Sequence, residues 1–203
     1  MLDTDQPLLS SIDDIFALGD PQWLIRDLLP LPGLVLLYGK SGFGKSFCAI
    51  DFALSVASGT PWLGKYPVMS GAVVYVACEG ATGLKRRIAA WLHHHPDVAK
   101  PDRLSFCLQA LDIYDGEERE RFLSALETRY RLDHFDHVDP DGNLGEPLEP
   151  LRRIVLDTLA RVYQGEDENS VVEMSEFIQH IESFARDIAP SALLDRCVEI
   201  LPS

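Results

Sequence analysis

The stretch YGKSGFGKSFCAIDF, Tyr38 to Phe52, restricts this chain more than any other. Gly39, Gly44, Lys45 and Ser46 satisfy the spacing G-x-x-x-x-G-K-[ST], in which a glycine-rich turn runs into a helix and wraps a polyphosphate. Both flanks agree with that reading. LVLLYG before the turn is apolar throughout, as a strand buried on both faces must be. SFCAIDFALSVASG after it has a helical pattern, with Gly59 as its stop. The competing reading is an ordinary glycine turn between strand and helix, which requires neither the full spacing nor both flanks.

A triphosphate needs many donors in a small space, and successive backbone N–H groups at a helix N-terminus supply them. Gly39, Lys40, Ser41, Gly42, Phe43, Gly44, Lys45, Ser46 and Phe47 are therefore the expected nucleotide cradle. Lys45 is expected to put a mobile positive charge on the terminal phosphates. The Ser46 hydroxyl is expected to take one coordination position on Mg2+, a hard cation that prefers oxygen.

The rest of the chain alternates strands with helices. AVVYVACEG predicts a second buried strand over residues 72–77, followed by a helix from Thr82 to about His94. Leu84, Ile88, Trp91 and Leu92 share one face of that helix, leaving Lys85, Arg86 and Arg87 toward solvent or a partner. RLSFCLQ predicts a third strand and EERERFLSALETRYRL a charged helix with Phe122, Leu126 and Tyr130 spaced four apart. DHFDHVDPDGNLGEPLEP reads as a loop, RRIVLDTLARV as a fourth strand ending at Asp157, and SVVEMSEFIQHIESFARDI as an amphipathic helix. Apolar strands alternating with helices mean an α/β fold with a mainly parallel sheet covered on both faces. The expected divisions are a lead-in over residues 1–32, where Pro30 and Pro32 punctuate the approach to the first strand, an ATPase core over 33–190 and a tail over 191–203.

Two carboxylates stand where a nucleotide site needs them. Asp157 ends the apolar run IVLD, where a second oxygen ligand for Mg2+ is expected across from Ser46; its competing role is a helix or turn cap. Many enzymes with this loop carry a glutamate directly after that aspartate to orient the attacking water, but here the next residue is Thr158. Glu79, ending YVACEG, is the candidate for that base, with a cap for the following helix as its alternative.

Composition narrows the partners. With 18 Lys+Arg against 32 Asp+Glu the formal charge is -14, which opposes a broad non-specific hold on a nucleic-acid backbone and leaves only a local basic groove open. No apolar run approaches the roughly 18 residues of a membrane helix, and MLDTDQPLLSSIDD is acidic where a signal peptide is basic, so a cytoplasmic protein is expected. Cys48, Cys78, Cys107 and Cys197 are scattered without metal-site spacing and read as reduced core thiols. HHHP at His93 to Pro96 reads as a helix C-terminal cap rather than a metal site, and DPDGN at Asp139 as a turn, because His137 and Leu148 fall where a calcium loop needs carboxylates.

GLVLLYGKSGFGKSFCAIDFALSVASG, VVYVACEG and RIVLDTLARV together resemble the three-layer RecA-like P-loop ATPase domain of the RepA type, found in plasmid and phage replicative helicases and related AAA-type ATPases. The likeness runs from about Trp23 to Ile181. It implies an ATPase centre of Lys45, Ser46, Glu79 and Asp157, with ATP and Mg2+ as cofactors, and a homo-oligomer, a hexameric ring with ATP between subunits, acting on single-stranded DNA. Lacking an N-K-x-D guanine-reading motif, the chain is closer to ATP-using proteins than to GTPases.

Members of that family continue into a strand with a His-rich sensor, a DNA-facing loop and an arginine that reaches the neighbouring site. This chain instead reads RDIAPSALLDRCVEILPS, as a C-terminally truncated member would, and CVEIL is the candidate to fill the missing strand's place between the first strand and the one ending at Asp157. A nucleotide-binding regulatory module with little hydrolysis is the alternative function, and a small-molecule kinase a third.

Overall fold

In the computed structural model the described residues are 9–31, 33–40, 42–78, 81–130, 151–157, 170–188 and 197–201. Helices α1 (Ile12–Phe16), α2 (Lys45–Ser58), α3 (Ala81–His94), α4 (Gly116–Tyr130) and α5 (Val171–Ile188) accompany strands β1 (Gln22–Ile25), β2 (Leu29–Leu31), β3 (Gly33–Leu36), β4 (Ala72–Ala77), β5 (Leu104–Cys107), β6 (Leu151–Asp157) and β7 (Cys197–Leu201). Five strands form one parallel sheet in the order β3-β7-β6-β4-β5.

The continuous apolar runs mark the sheet's interior. All six residues of β4 are buried, and so are six of the seven in β6. Successive side chains on a strand point to opposite faces, so these two strands feed two separate cores. Val74, Val76, Ile154 and Leu156 pack with Phe122 and Leu126 of α4 and with Phe177, Ile181 and Phe184 of α5. Val73, Tyr75, Ala77 and Val155 pack on the other face with Ile50, Ala53 and Leu54 of α2 and with Leu84 and Trp91 of α3. Each such aliphatic side chain, taken fully out of water, contributes about 1.5–3 kcal/mol before conformational entropy is subtracted.

Helix α2 stops where Gly59 takes a left-handed φ of 73° and its N–H returns to Val56 O. Residues 22–31, taken from the sequence as lead-in, form an antiparallel hairpin whose Leu24, Ile25, Leu29 and Leu31 join the core under α2. Pro30 is tolerated there because β2 is a three-residue strand and Pro30 faces out.

Strand β7 is CVEIL, and it lies between β3 and β6, parallel to both, with Val198 opposite Leu34 and Ile154. The gap expected between those strands is filled by the segment that the sequence reading had set apart as tail. Residues 131–150, which include DPDGN and the stretch expected to be a loop, lie outside the described residues.

Candidate nucleotide site

The site stands at the carboxyl edge of the parallel sheet, where strands end and helices begin, the usual place for ligands in open α/β folds. After β3 the chain passes Gly39 and turns into α2, the turn being closed by Phe43 N–H donating to Lys40 O at 3.2 Å. Gly42 and Gly44 hold φ of 81° and 86°, conformations strained for any residue with a Cβ. A Cβ at either position would meet nothing within 4 Å, so what requires glycine is the backbone turn itself. Lys45, the first helical residue, donates from Nζ to Gly39 O at 2.7 Å, which keeps its charge at the loop. Ser41 lies outside the described residues, while Phe43 and Phe47 present exposed rings.

Asp157 ends β6 opposite Ala77, and Cys78 N–H donates to its carbonyl at 2.7 Å. Its side chain is only 5% exposed and takes two hydroxyl donors: Ser46 Oγ at 3.1 Å from Oδ1, and Tyr75 Oη at 2.6 Å from Oδ2. The second distance is that of a charge-assisted O–H···O⁻ bond. Burial and then the charge of Asp157 push the Tyr75 phenol far above its usual pKa, so it remains a neutral donor. The loop serine and the β6 aspartate, far apart in sequence, thus meet as expected. One hydroxyl and one carboxylate fit Mg2+, which keeps several waters and binds protein through one or two oxygens rather than a full cage. The described residues contain no group of three or more His, Cys, Asp or Glu placed to hold a metal ion among themselves.

Glu79 and Thr158 fall outside the described residues, although β4, the strand that leads to Glu79, is the direct neighbour of β6. Two further residues reach the site. Tyr75 is the single polar residue of β4, on the same face as Ala77, which pairs with Asp157; that alternation was its only trace in the sequence. Arg87, read from the helical wheel as facing solvent or a partner with Lys85 and Arg86, instead lays its guanidinium 4.7 Å from the Phe47 ring centroid. The long arginine stem lets a half-buried position reach back across α3 to α2.

The remaining motifs are structural. His93 and His94 are exposed in the last turn of α3, while the His95 ring stacks on Trp91 at 3.9 Å and bonds the Trp91 carbonyl through Nδ1 at 2.8 Å. Cys48, Cys78 and Cys107 form no disulfide and are half-buried rather than fully in the core. Among the described residues no helix is long and apolar enough to cross a membrane.

A parallel sheet with a glycine-rich loop at its carboxyl edge, and a serine and an aspartate meeting beside that loop, defines a P-loop nucleotide-binding protein. Residues 6–193 match the family described as AAA domain, and the chain belongs to this AAA-type P-loop ATPase family. No curated protein matches it.

Proposed function

We propose that the chain binds Mg-ATP at residues 39–47 and works as the ATPase subunit of an assembly resembling the RepA-type replicative helicases. The observation that carries the first part is the Ser46 Oγ to Asp157 Oδ1 approach of 3.1 Å. Mg2+ bound there would supply Lewis-acid neutralisation of phosphate charge.

The protein's own groups divide the work. Backbone N–H groups at the start of α2 bind phosphate oxygens, Lys45 adds charge that grows in value as charge builds on the transferring group, and Tyr75 holds the Asp157 carboxylate in one orientation. Glu79 is assigned the orientation of the attacking water. The helicase part, with a homo-oligomeric ring and single-stranded DNA, rests on the sequence resemblance alone. Thr158 in place of a glutamate favours the second reading, a nucleotide-binding regulatory module with little hydrolysis.

Titration calorimetry with Mg-ATP tests the site. Wild type is expected to bind and Lys45→Ala to lose binding; equal affinity in both overturns the assignment.

A further inference from the structure

Cys78 and Cys107 stand at the rim of the core that α4 and α5 build on one face of the sheet, half-buried and in no disulfide. Register puts them on the same face. Cys107, the last residue of β5, lies opposite Val76 of β4, and Cys78 follows two positions after Val76, so side-chain alternation returns it to the same side. Strands about 4.8 Å apart that rise about 3.3 Å per residue put such diagonal neighbours about 8 Å apart at Cα. The Cys107 thiol already leans along that diagonal: its Sγ donates to Gln109 O at 3.5 Å, and Gln109 is the position that faces Cys78 when the β4–β5 register is continued. The other two cysteines are out of reach. Cys48 packs with the core on the opposite face, and Cys197 opens β7, which β6 separates from β4.

Cys78 is also a joint of the nucleotide site. Its N–H donates to Asp157 O at 2.7 Å where the β4–β6 pairing ends, and Glu79 follows it in the chain. A disulfide brings its two Cα atoms to within about 6.8 Å, so a bridge between these cysteines needs a movement of about 1 Å or more. Cys107 is still paired in the ladder, whereas Cys78 lies just past the end of β4, so Cys78 is the residue that gives. Since β4 lies between β5 and β6, the pull is directed away from Asp157. Lengthened by that much, the Cys78 N–H to Asp157 O bond is lost.

We propose that Cys78 and Cys107 form a reversible disulfide under peroxide, and that this bridge loosens the Asp157 edge of the nucleotide site. The two thiols give up two electrons and two protons: one becomes a sulfenic acid, the other attacks its sulfur, and hydrogen peroxide leaves as two waters. The bridge is independent of the nucleotide reading, while its effect on Mg-ATP rests on that reading.

The test treats the full chain with hydrogen peroxide and follows it by non-reducing peptide mass spectrometry, hydrogen exchange and Mg-ATP titration. A Cys78–Cys107 linkage within one chain is expected, reversed by dithiothreitol, with exchange of the Cys78 amide about tenfold or more faster in the linked protein. Mg-ATP affinity is expected to fall about tenfold or more and to recover on reduction. Cys107→Ser, outside the nucleotide site, is expected to form no linkage and to keep both its affinity and its Cys78 exchange under peroxide. Thiols that end as sulfinic acids without a linkage, a linkage only between chains, or a linked protein with unchanged Cys78 exchange or unchanged affinity each overturns the proposal, as does Cys107→Ser that is as peroxide-sensitive as wild type. Reduced wild type without Mg-ATP affinity overturns the nucleotide reading instead, and linkage and exchange then decide the cysteine pair by themselves.

Discussion

Tyr75 and Asp157 are joined across neighbouring parallel strands: Tyr75 Oη donates to Asp157 Oδ2 at 2.6 Å, while Ser46 holds the other carboxylate oxygen. The Asp157 carboxylate is therefore anchored from the core of the sheet as well as from the start of α2.

Removing that anchor is expected to be costly. Tyr75→Phe keeps the ring and deletes one hydrogen bond to a charged group, so urea unfolding should show a loss of about 1.5–3 kcal/mol. Because Asp157 keeps Ser46, the variant should still fold, with weaker Mg2+ dependence of nucleotide binding. Wild-type stability in Tyr75→Phe would mean that the bond contributes nothing net.

The same pair gives the protein an alkaline weakness. The unfolded phenol ionises near its ordinary 10.0, whereas burial and the Asp157 charge push the folded value well above it. Between the two values the unfolded state has lost a proton that the folded state keeps, so stability is full below about pH 10 and falls as pH rises further. One such proton corresponds to about 1.4 kcal/mol per pH unit. Tyr114 and Tyr130 are shifted upward too, mainly by burial, so Tyr75→Phe should flatten the decline without abolishing it. Parallel stability curves for the two proteins between pH 9 and 11 would contradict this.

Asp51 bridges two indoles, accepting from Trp62 Nε1 and Trp91 Nε1 at 2.7 Å each, and so ties the 60s turn and α3 to α2. Asp51→Ala strands two N–H groups in half-buried surroundings and is expected to cost about 2–4 kcal/mol, with a shift in tryptophan emission. Asp51→Asn, which keeps one acceptor, should lose less. Equal losses in both variants would point to charge rather than hydrogen bonding.

What could be read from the sequence follows burial. β4 and the Ile154–Leu156 stretch of β6 announce themselves because strands buried on both faces are apolar at nearly every position, and Asp157 is conspicuous as the charge that ends such a run, whereas the buried Arg153 at the start of β6 breaks the pattern. The loop is legible because its glycines and lysine are required by local geometry. CVEIL carried no such mark: it is short, Glu199 interrupts its apolar run, and pairing with Gly33–Leu36 over such a sequence distance leaves no local trace. The β1–β2 hairpin was hidden by Pro30, which reads as a loop signal although it sits harmlessly on an outward position. Arg87 illustrates a third limit: a helical wheel places its Cα, not the end of a long side chain.

Glu79→Gln separates binding from turnover. If the carboxylate orients the attacking water, the variant binds Mg-ATP as wild type does and loses the hydrolysis that wild type performs. Hydrolysis at the parental rate would leave Glu79 as a helix cap.

The chain by itself is expected to bind ATP and turn it over slowly. Transition-state charge in phosphoryl transfer is commonly met by an arginine from a neighbouring subunit, worth about 10³–10⁵ in rate because it meets charge absent from the ground state. Among the described residues Arg87 and Arg153 lie against the loop helix, the Arg87 guanidinium engaged with the Phe47 ring and that of Arg153, buried in β6, set 5.1 Å from the Phe52 ring centroid. The formal charge of -14 further weakens any general attraction to a nucleic-acid backbone that would stimulate turnover. A steady-state ATPase assay with and without single-stranded DNA, run over a range of protein concentration, measures this. Slow turnover that rises more than proportionally with protein concentration would indicate that neighbouring copies complete the site. Rapid, DNA-stimulated turnover proportional to concentration at high dilution would show that a single chain already holds everything the reaction needs, with Arg87→Ala then the first variant to make.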